Sequence, residues 1–316
     1  MACWFCGAVL SLLGFAAQGQ YPSQPIRIVL PYGAGGVADV TARILAQKLT
    51  EQMHEQAIID NRPSAGQIVA TEAVKKAEPD GYTLLWLNGG HAVSKSLFKS
   101  LPYDAEKDFA PVSTVAFFGM ALLVDSGSPY KTVGELIAAA KANPGKLNVG
   151  TTSIGSTQSI AALLFKSAAG LDFQVVPFKA TPMIIASVKG HDLHAMFEFL
   201  TPVLSHVKNG NLRALGVSYG HRFEGLPDVP TIAETVPGYE ATSWNAVAAP
   251  AKTPQAVIDR LNREINTAMA VPELRKRLID VGVEPHASTP RELHDLLVSE
   301  TAKWEKVIEA AHIPKQ

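Results

Sequence analysis

Branched apolar residues stand at Ile26, Ile28, Val29 and Leu30, a short dense run that reads as a buried strand. Glycines follow at 33, 35 and 36, and Val40, Ile44, Leu49 and Met53 then recur at helical spacing. The pattern predicts a strand, a glycine loop and a helix from about Ala38 to Met53. A short strand at Ala57–Ile59, a helix over Ser64–Glu78 and a strand from Tyr82 to Leu87, ending at Asn88-Gly89-Gly90-His91, come next. This βαβαβ order implies a parallel sheet with helices on both faces, and ligands should gather at the carboxyl ends of its strands.

An apolar run over Val112–Val124 leads to Thr132-Val133-Gly134-Glu135, a capping box opening a helix that Asn143-Pro144-Gly145 ends. Strands at Leu147–Gly150, Val175–Phe178, Leu193–Phe199 and Leu212–Ser218 then alternate with helices at Gln158–Ala168, up to Lys189 and up to Lys208. After a loop rich in Pro and Gly, Ser243–Ala249 reads as a strand. Two helices close the chain, one capped by Thr253-Pro254 and one by the box Thr289-Pro290-Arg291-Glu292. The closing segments lack a sheet of their own. The expectation is a two-domain α/β protein, with residues 20–123 plus 225–316 as one domain, 124–224 as the other, two crossovers and a hinged cleft.

Charge narrows the function. With 28 basic and 29 acidic residues the net charge is −1, which gives no electrostatic case for nucleic acid and leaves a small ligand as the expected partner. The first nineteen residues carry no charge, and the apolar run Trp4–Ala17 is too short to span a bilayer. They read as a secretory signal peptide, with Ala17 and Gly19 as the small residues of the cleavage site, although the usual basic residue near the start is missing. Cys3 and Cys6 are the only cysteines and fall inside this leader. The expected mature chain therefore has no thiol and no thiolate chemistry.

Two loops carry the candidate chemistry. In Tyr32, Gly33, Ala34, Gly35 and Gly36, bare backbone and the unpaired N–H groups of the following helix make an anion cradle, with Asp39 in the first helical turn. The stretch after the strand at Leu147 repeats the design with hydroxyls, at Thr151, Thr152, Ser153, Ser156 and Thr157, followed by Gln158. Asn88 and Gly89 end one further strand, Lys179, Ala180 and Thr181 another, and Glu198 a third. A cleft-facing Glu198 would repel a second ligand carboxylate and welcome an ammonium or hydroxyl; alternation with Phe197 and Phe199 turns it away from the main core. Trp244 either covers an apolar part of the ligand or packs the domain seam.

Two enzyme readings compete. Gly33 to Ala38 satisfies the dinucleotide pattern G-x-G-x-x-G/A with Asp60 at the next strand end, and Gly216-Val217-Ser218-Tyr219-Gly220 matches the nucleophile elbow of α/β hydrolases. The export signal weighs against the first, and the loop with two breakers after Gly220 against the second. His191 and His194, three apart on a strand or turn, point to opposite faces and make no chelating pair. No cofactor and no metal are expected.

The stretches YPSQPIRIVLPYGAGGVADVTAR, NRPSAG, AEPDGYTLL, LPYDAEKDFAPVS, KANPGKLNVGTTSIGSTQ, NLRALGVSYGHR, LPDVPTIAE and GYEATSWNAVAAP together resemble the Bug-type periplasmic solute-binding receptors of the tripartite tricarboxylate transporters, in the same order and over the whole chain from Tyr21. The resemblance implies the type II periplasmic-binding-protein architecture: a monomer that closes on a small organic carboxylate (mono-, di- or tricarboxylate, aromatic acid or acidic amino acid), delivers it to membrane transporter subunits and catalyses nothing. Three positions depart from the family pattern. Gly33 stands where proline is usual, Gln67-Ile68-Val69 where a second glycine cluster is usual, and Ser159 where a histidine is common. The last two bear on the ligand rather than on the fold.

Overall fold

The computed structural model describes residues 21–153, 156–310 and 315, so the expected leader and both cysteines lie outside the described residues. The opening pattern folds as expected into β1 (Ile26–Leu30) and α1 (Val37–Met53). β2 (Ala57–Asn61) pairs with β1 in parallel. The helix expected over Ser64–Glu78 is shorter: a 3-10 turn at Ala65–Gln67 precedes α2 (Ile68–Lys75). Gly66 and Gln67 both adopt left-handed backbone, at φ 59° and 61°, and this prevents one continuous helix.

β3 (Thr83–Asn88) lies parallel to β1 on its other side. It runs straight into α3 (Gly89–Leu97), which the Gly-Gly pair hides in the sequence. Asn88 caps this helix by accepting from the Gly90 N–H, while His91 Nδ1 accepts from the Asn88 N–H, so a histidine stands in for the usual glutamate of a capping box.

β4 (Phe109–Asp125) is followed by α4 (Val133–Ala142), β5 (Asn148–Thr152), α5 (Thr157–Ala168), β6 (Gln174–Phe178), α6 (Thr181–Lys189), β7 (Ala195–Phe199), α7 (Leu200–Lys208) and β8 (Leu212–Val217). The box at α4 is half formed: Thr132 accepts from the Glu135 N–H, but the Glu135 carboxylate reaches the Lys131 N–H instead of that of Thr132. β9 (Thr242–Pro250) then leads to α8 (Gln255–Ala270), α9 (Pro272–Asp280), β10 (Glu284–Pro285) and α10 (Pro290–Ala310). Three closing helices stand where two were expected, because Pro272 starts a new one. Pro254, without a side-chain cap, precedes α8, and the buried Thr253 hydroxyl has no partner among the described residues and does not cap. The Thr289–Glu292 box at α10 is complete.

The strands lie in the order β2-β1-β3-β9-β4-β7-β5-β6, with β8 and β10 also on β4. β4 is the organising strand. Its first part, Phe109–Gly119, pairs with β9, and its second, Met120–Asp125, pairs with β7 and β8. Around the first part, Ile28, Leu45, Trp86 and Leu261 share one core, and around the second Leu122, Phe165, Phe197 and Tyr239 share another. Each such side chain contributes about 1.5–3 kcal/mol by leaving water.

Candidate functional site

Strand direction locates the site. β3 ends with Asn88 opposite Asn245 of β9, and Asn245 lies opposite Ala116 of β4. β7 approaches from the other direction and ends with Phe199 opposite Met120. The carboxyl ends of β3 and β7 therefore point at each other across four steps of β4, roughly 13 Å at the rise of a strand. β5 and β6 run parallel beside β7, so Thr152 and Phe178 end at the same edge as Phe199. A cavity of about 310 Å³ is lined by Gln67, Gly89 and Gly90, by Ser156 and Thr157 of α5, by Ser243 of β9, and by Phe98, Glu300 and Trp304 of the α3 and α10 side.

On the first side, Gly33, Ala34, Gly35 and Gly36 are exposed, and a side chain added at any of the three glycines would meet nothing within 4 Å. Gly35, at φ +87°, is the one whose backbone requires glycine. Gly36 caps α1 in extended backbone with no side-chain bond, which leaves the first helical N–H groups to a ligand. Tyr32 does not reach outward with its hydroxyl, which donates to Asn88 Oδ1 at 3.0 Å and accepts from Gln67 Nε2 at 3.3 Å.

Two of the expected ligand contacts on this side are internal. Asp39 is 3% exposed and accepts from the Gly35 N–H, Arg43 Nε and Asn61 Nδ2, so it braces the glycine loop against α1 and β2. A carboxylate so occupied would repel an anion if freed, and its role is to shape the cradle. Asn88 exchanges two amide hydrogen bonds with Gln67, at 3.1 Å each, and its oxygen also takes the Gly90 N–H. Its hydrogen-bonding capacity is spent on the floor of the site. His91 below it is buried between Asn88 and Thr71, and burial pushes its imidazole down to about 3, so it stays neutral.

Burial works against the Asp39 carboxylate, but the hydrogen bonds from Arg43, Gly35 and Asn61 together hold it below its ordinary 3.8. A carboxyl group lowered in the folded state contributes stability that is complete above 3.8 and is lost as pH falls through the lower folded value. Asp39→Asn is therefore expected to lose about 2 kcal/mol of unfolding free energy at pH 7. That gap should narrow below pH 3.8. Urea unfolding of both proteins across this range is the measurement, and a gap independent of pH would remove the ionic role of Asp39.

On the second side, Thr151 is fully buried and donates to the Thr152 carbonyl, which takes it out of the set of cleft hydroxyls. Thr152 Oγ1 donates to Ser156 Oγ, and Ser156 caps α5 by accepting from the Ser159 N–H. Ser153 is exposed, while Ser156 and Thr157 line the cavity. Lys179 and Ala180 are exposed on the outer strand end. Gln158, Thr181 and Glu198 form one cluster: Gln158 Nε2 and the Phe199 N–H donate to Glu198 Oε1 at 2.7 and 2.8 Å, and Thr181 Oγ1 donates to Oε2 at 2.7 Å. Glu198 faces away from Phe197 as alternation requires, yet it is 1% exposed and not in solvent.

Gln67, Gly90 and Ser243 line the cavity and were not among the expected site residues. Gln67 sat inside an expected helix; the signal for it was the family's glycine cluster, which marks a position able to adopt left-handed backbone. A Cβ at Gly90 would lie 2.0 Å from Gln67 Nε2 and 2.8 Å from Asn88 Oδ1, so it would displace that pair of amides. Trp244 packs the seam: it is buried with Leu87, Ile160 and Trp304, and its indole N–H has no partner among the described residues.

Neither enzyme reading gains support from the residues it named. Ser218 is fully buried, donates to the Ala241 carbonyl at 2.6 Å and accepts from the Met120 N–H at 2.7 Å, so it ties β4 to the chain entering β9. Asp60, the expected ribose acid, is held by Arg62 at 2.8 Å.

The profile of TctC, described as "Tripartite tricarboxylate transporter family receptor", matches residues 41–313. A UPF0065 protein of Bordetella bronchiseptica is 36% identical over 307 residues, covering 96% of this chain and 91% of that protein. Among solved structures, R. palustris Rpa4515 with adipate superposes with a TM-score of 0.80 at 31% identity, over 94% of this chain and all of that one. The periplasmic binding protein BugD superposes with a TM-score of 0.77 at 27% identity, over 94% and 100% of the two chains.

Proposed function

Given that the chain belongs to the tripartite tricarboxylate transporter receptor family, we propose that it binds a small organic carboxylate between the β3 and β7 strand ends and hands it to membrane transporter subunits. The observation that carries the reading is the pair of opposed carboxyl edges on one strand, with the helix N-termini of α3 and α5 lining a shared cavity. Free N–H groups at such ends favour a negative ligand without a full counter-charge. Adipate in Rpa4515 supports an acid as the ligand class.

The anion is held from both sides, so binding draws together two bodies, residues 20–123 with 225–316 and residues 124–224, hinged where β4 passes from β9 to β7. The receptor works as a monomer in the periplasm after loss of its leader. No helix among the described residues is long and apolar enough to cross a membrane.

The test is thermal unfolding of the mature chain against mono-, di- and tricarboxylates, aromatic acids and amino acids. A ligand at 100 times its dissociation constant adds about 2.7 kcal/mol of stability, which raises the melting temperature visibly. If NAD stabilises the chain and no carboxylate does, the reading is wrong.

A further inference from the structure

Glu198 is a fully buried carboxylate, and among the described residues the three hydrogen bonds it accepts come from neutral donors. It sits at the carboxyl edge of β7, where the first turns of α5, α6 and α7 meet: Gln158 belongs to the first, Thr181 to the second, and Phe199 caps the third. Three helix N-termini beside it favour a negative charge there, and the Phe199 N–H at the start of α7 bonds it directly. Its consequence for a ligand follows from counting protons. A threonine hydroxyl has one proton, and that of Thr181 points inward at Glu198, so half-exposed Thr181 can offer the cleft only acceptor lone pairs. Gln158 likewise spends one of its two amide protons on Glu198.

We propose that Glu198 sets the hydrogen-bond polarity of this wall, so that the receptor takes a carboxylic acid whose far end carries a hydrogen-bond donor, a hydroxyl or an ammonium, and discriminates against a plain dicarboxylate. The inference rests on the carboxylate-receptor reading and names its ligand class. One carboxylate of the ligand occupies the helix N-termini around Gly89 and Thr157. The other end meets the Thr181 lone pairs with the Glu198 charge directly behind them, where a second carboxylate finds neither a donor nor a favourable field. Lys179 follows the end of β6, the outermost strand of this edge, and its exposed ammonium attracts anions to the rim without altering the inner wall.

Glu198→Gln reverses the polarity with almost no change of shape. The new amide donates to Thr181 Oγ1 and releases the threonine proton toward the ligand. Calorimetric titration should compare three series of matched chain length: α,ω-dicarboxylates, ω-hydroxy acids and ω-amino acids. The native receptor is expected to bind the best hydroxy or amino acid about tenfold or more tighter than the dicarboxylate of equal length, and Glu198→Gln should shrink or invert that ratio by a similar factor. Thr181→Val deletes the hydroxyl through which Glu198 acts, so adding Glu198→Gln to it should shift the ratio much less than Glu198→Gln does alone. A native preference for the dicarboxylate, or a ratio that Glu198→Gln leaves unchanged, overturns this inference while the receptor reading stands. Absence of binding in all three series and in the wider carboxylate panel overturns the receptor reading itself.

Discussion

Thr157→Glu should bind carboxylates about 100-fold or more weakly than the native chain while melting at a slightly higher temperature. Thr157 is the first residue of α5 and lines the cavity opposite Gly89. A carboxylate there satisfies the helix N-terminus from within, which stabilises a helix by about 0.3–1 kcal/mol. It also occupies the seat proposed for the ligand. Two carboxylates about 4 Å apart repel by about 4 kcal/mol at the effective dielectric of a partly buried site, and part of this is relieved when the glutamate swings aside. Titration and thermal unfolding of the same preparation read both signs. A variant that gains stability and keeps its affinity would move the ligand away from α5.

Gly119→Val should cost about 3 kcal/mol or more, because overpacking here has no direction in which to relax. A Cβ at Gly119 would lie 2.5–2.9 Å from the Tyr219 ring. That ring is buried and stacked on Phe223 with centroids 5.5 Å apart, and its neighbour Ser218 is bonded to the Met120 N–H. The position is also where β4 leaves β9 for β7 and β8, so the strain falls on the segment that joins both core clusters. Urea unfolding is the measurement, with Tyr219→Leu in the Gly119→Ala background as the partner variant. Partial recovery in the double variant is expected, and a fall independent of residue 219 would place the strain elsewhere.

The parts of the site that were legible in the sequence are those whose physics is local. β1, the glycine loop and α1 follow one another within the chain, and the hydroxyls at 152, 156 and 157 announce a helix start by their own spacing. Asp39 was visible as a first-turn acid for the same reason. Its partner Asn61 was not, since it arrives from β2, 22 residues away. α3 was hidden because its capping residue is Asn88 with His91 in the third helical position, a pairing that lies outside the usual Ser/Thr and Glu pattern. Gln67 was hidden because a non-glycine residue at φ 61° leaves no mark in a hydrophobic pattern.

By itself the sequence determined the alternation of strands and helices, the parallel groups with ligand-facing carboxyl ends, and the placing of bare helix N-termini beside glycine and hydroxyl loops. Those features rest on periodicity and on groups a few residues apart, which the chain carries wherever it goes. Only the tertiary structure decided which polar groups remain for a ligand. Asn88 is spent on Gln67 and Tyr32, Thr151 turns inward, and Glu198 orients Thr181 and Gln158. A hydrogen-bonding group takes the partner that folding brings to it, and in the Asn88 and Glu198 networks the side-chain partners stand 17 to 56 residues apart in sequence. The register of β3 and β7 on β4 brings those groups to two facing edges, and with it comes the sign of the wall that the ligand meets.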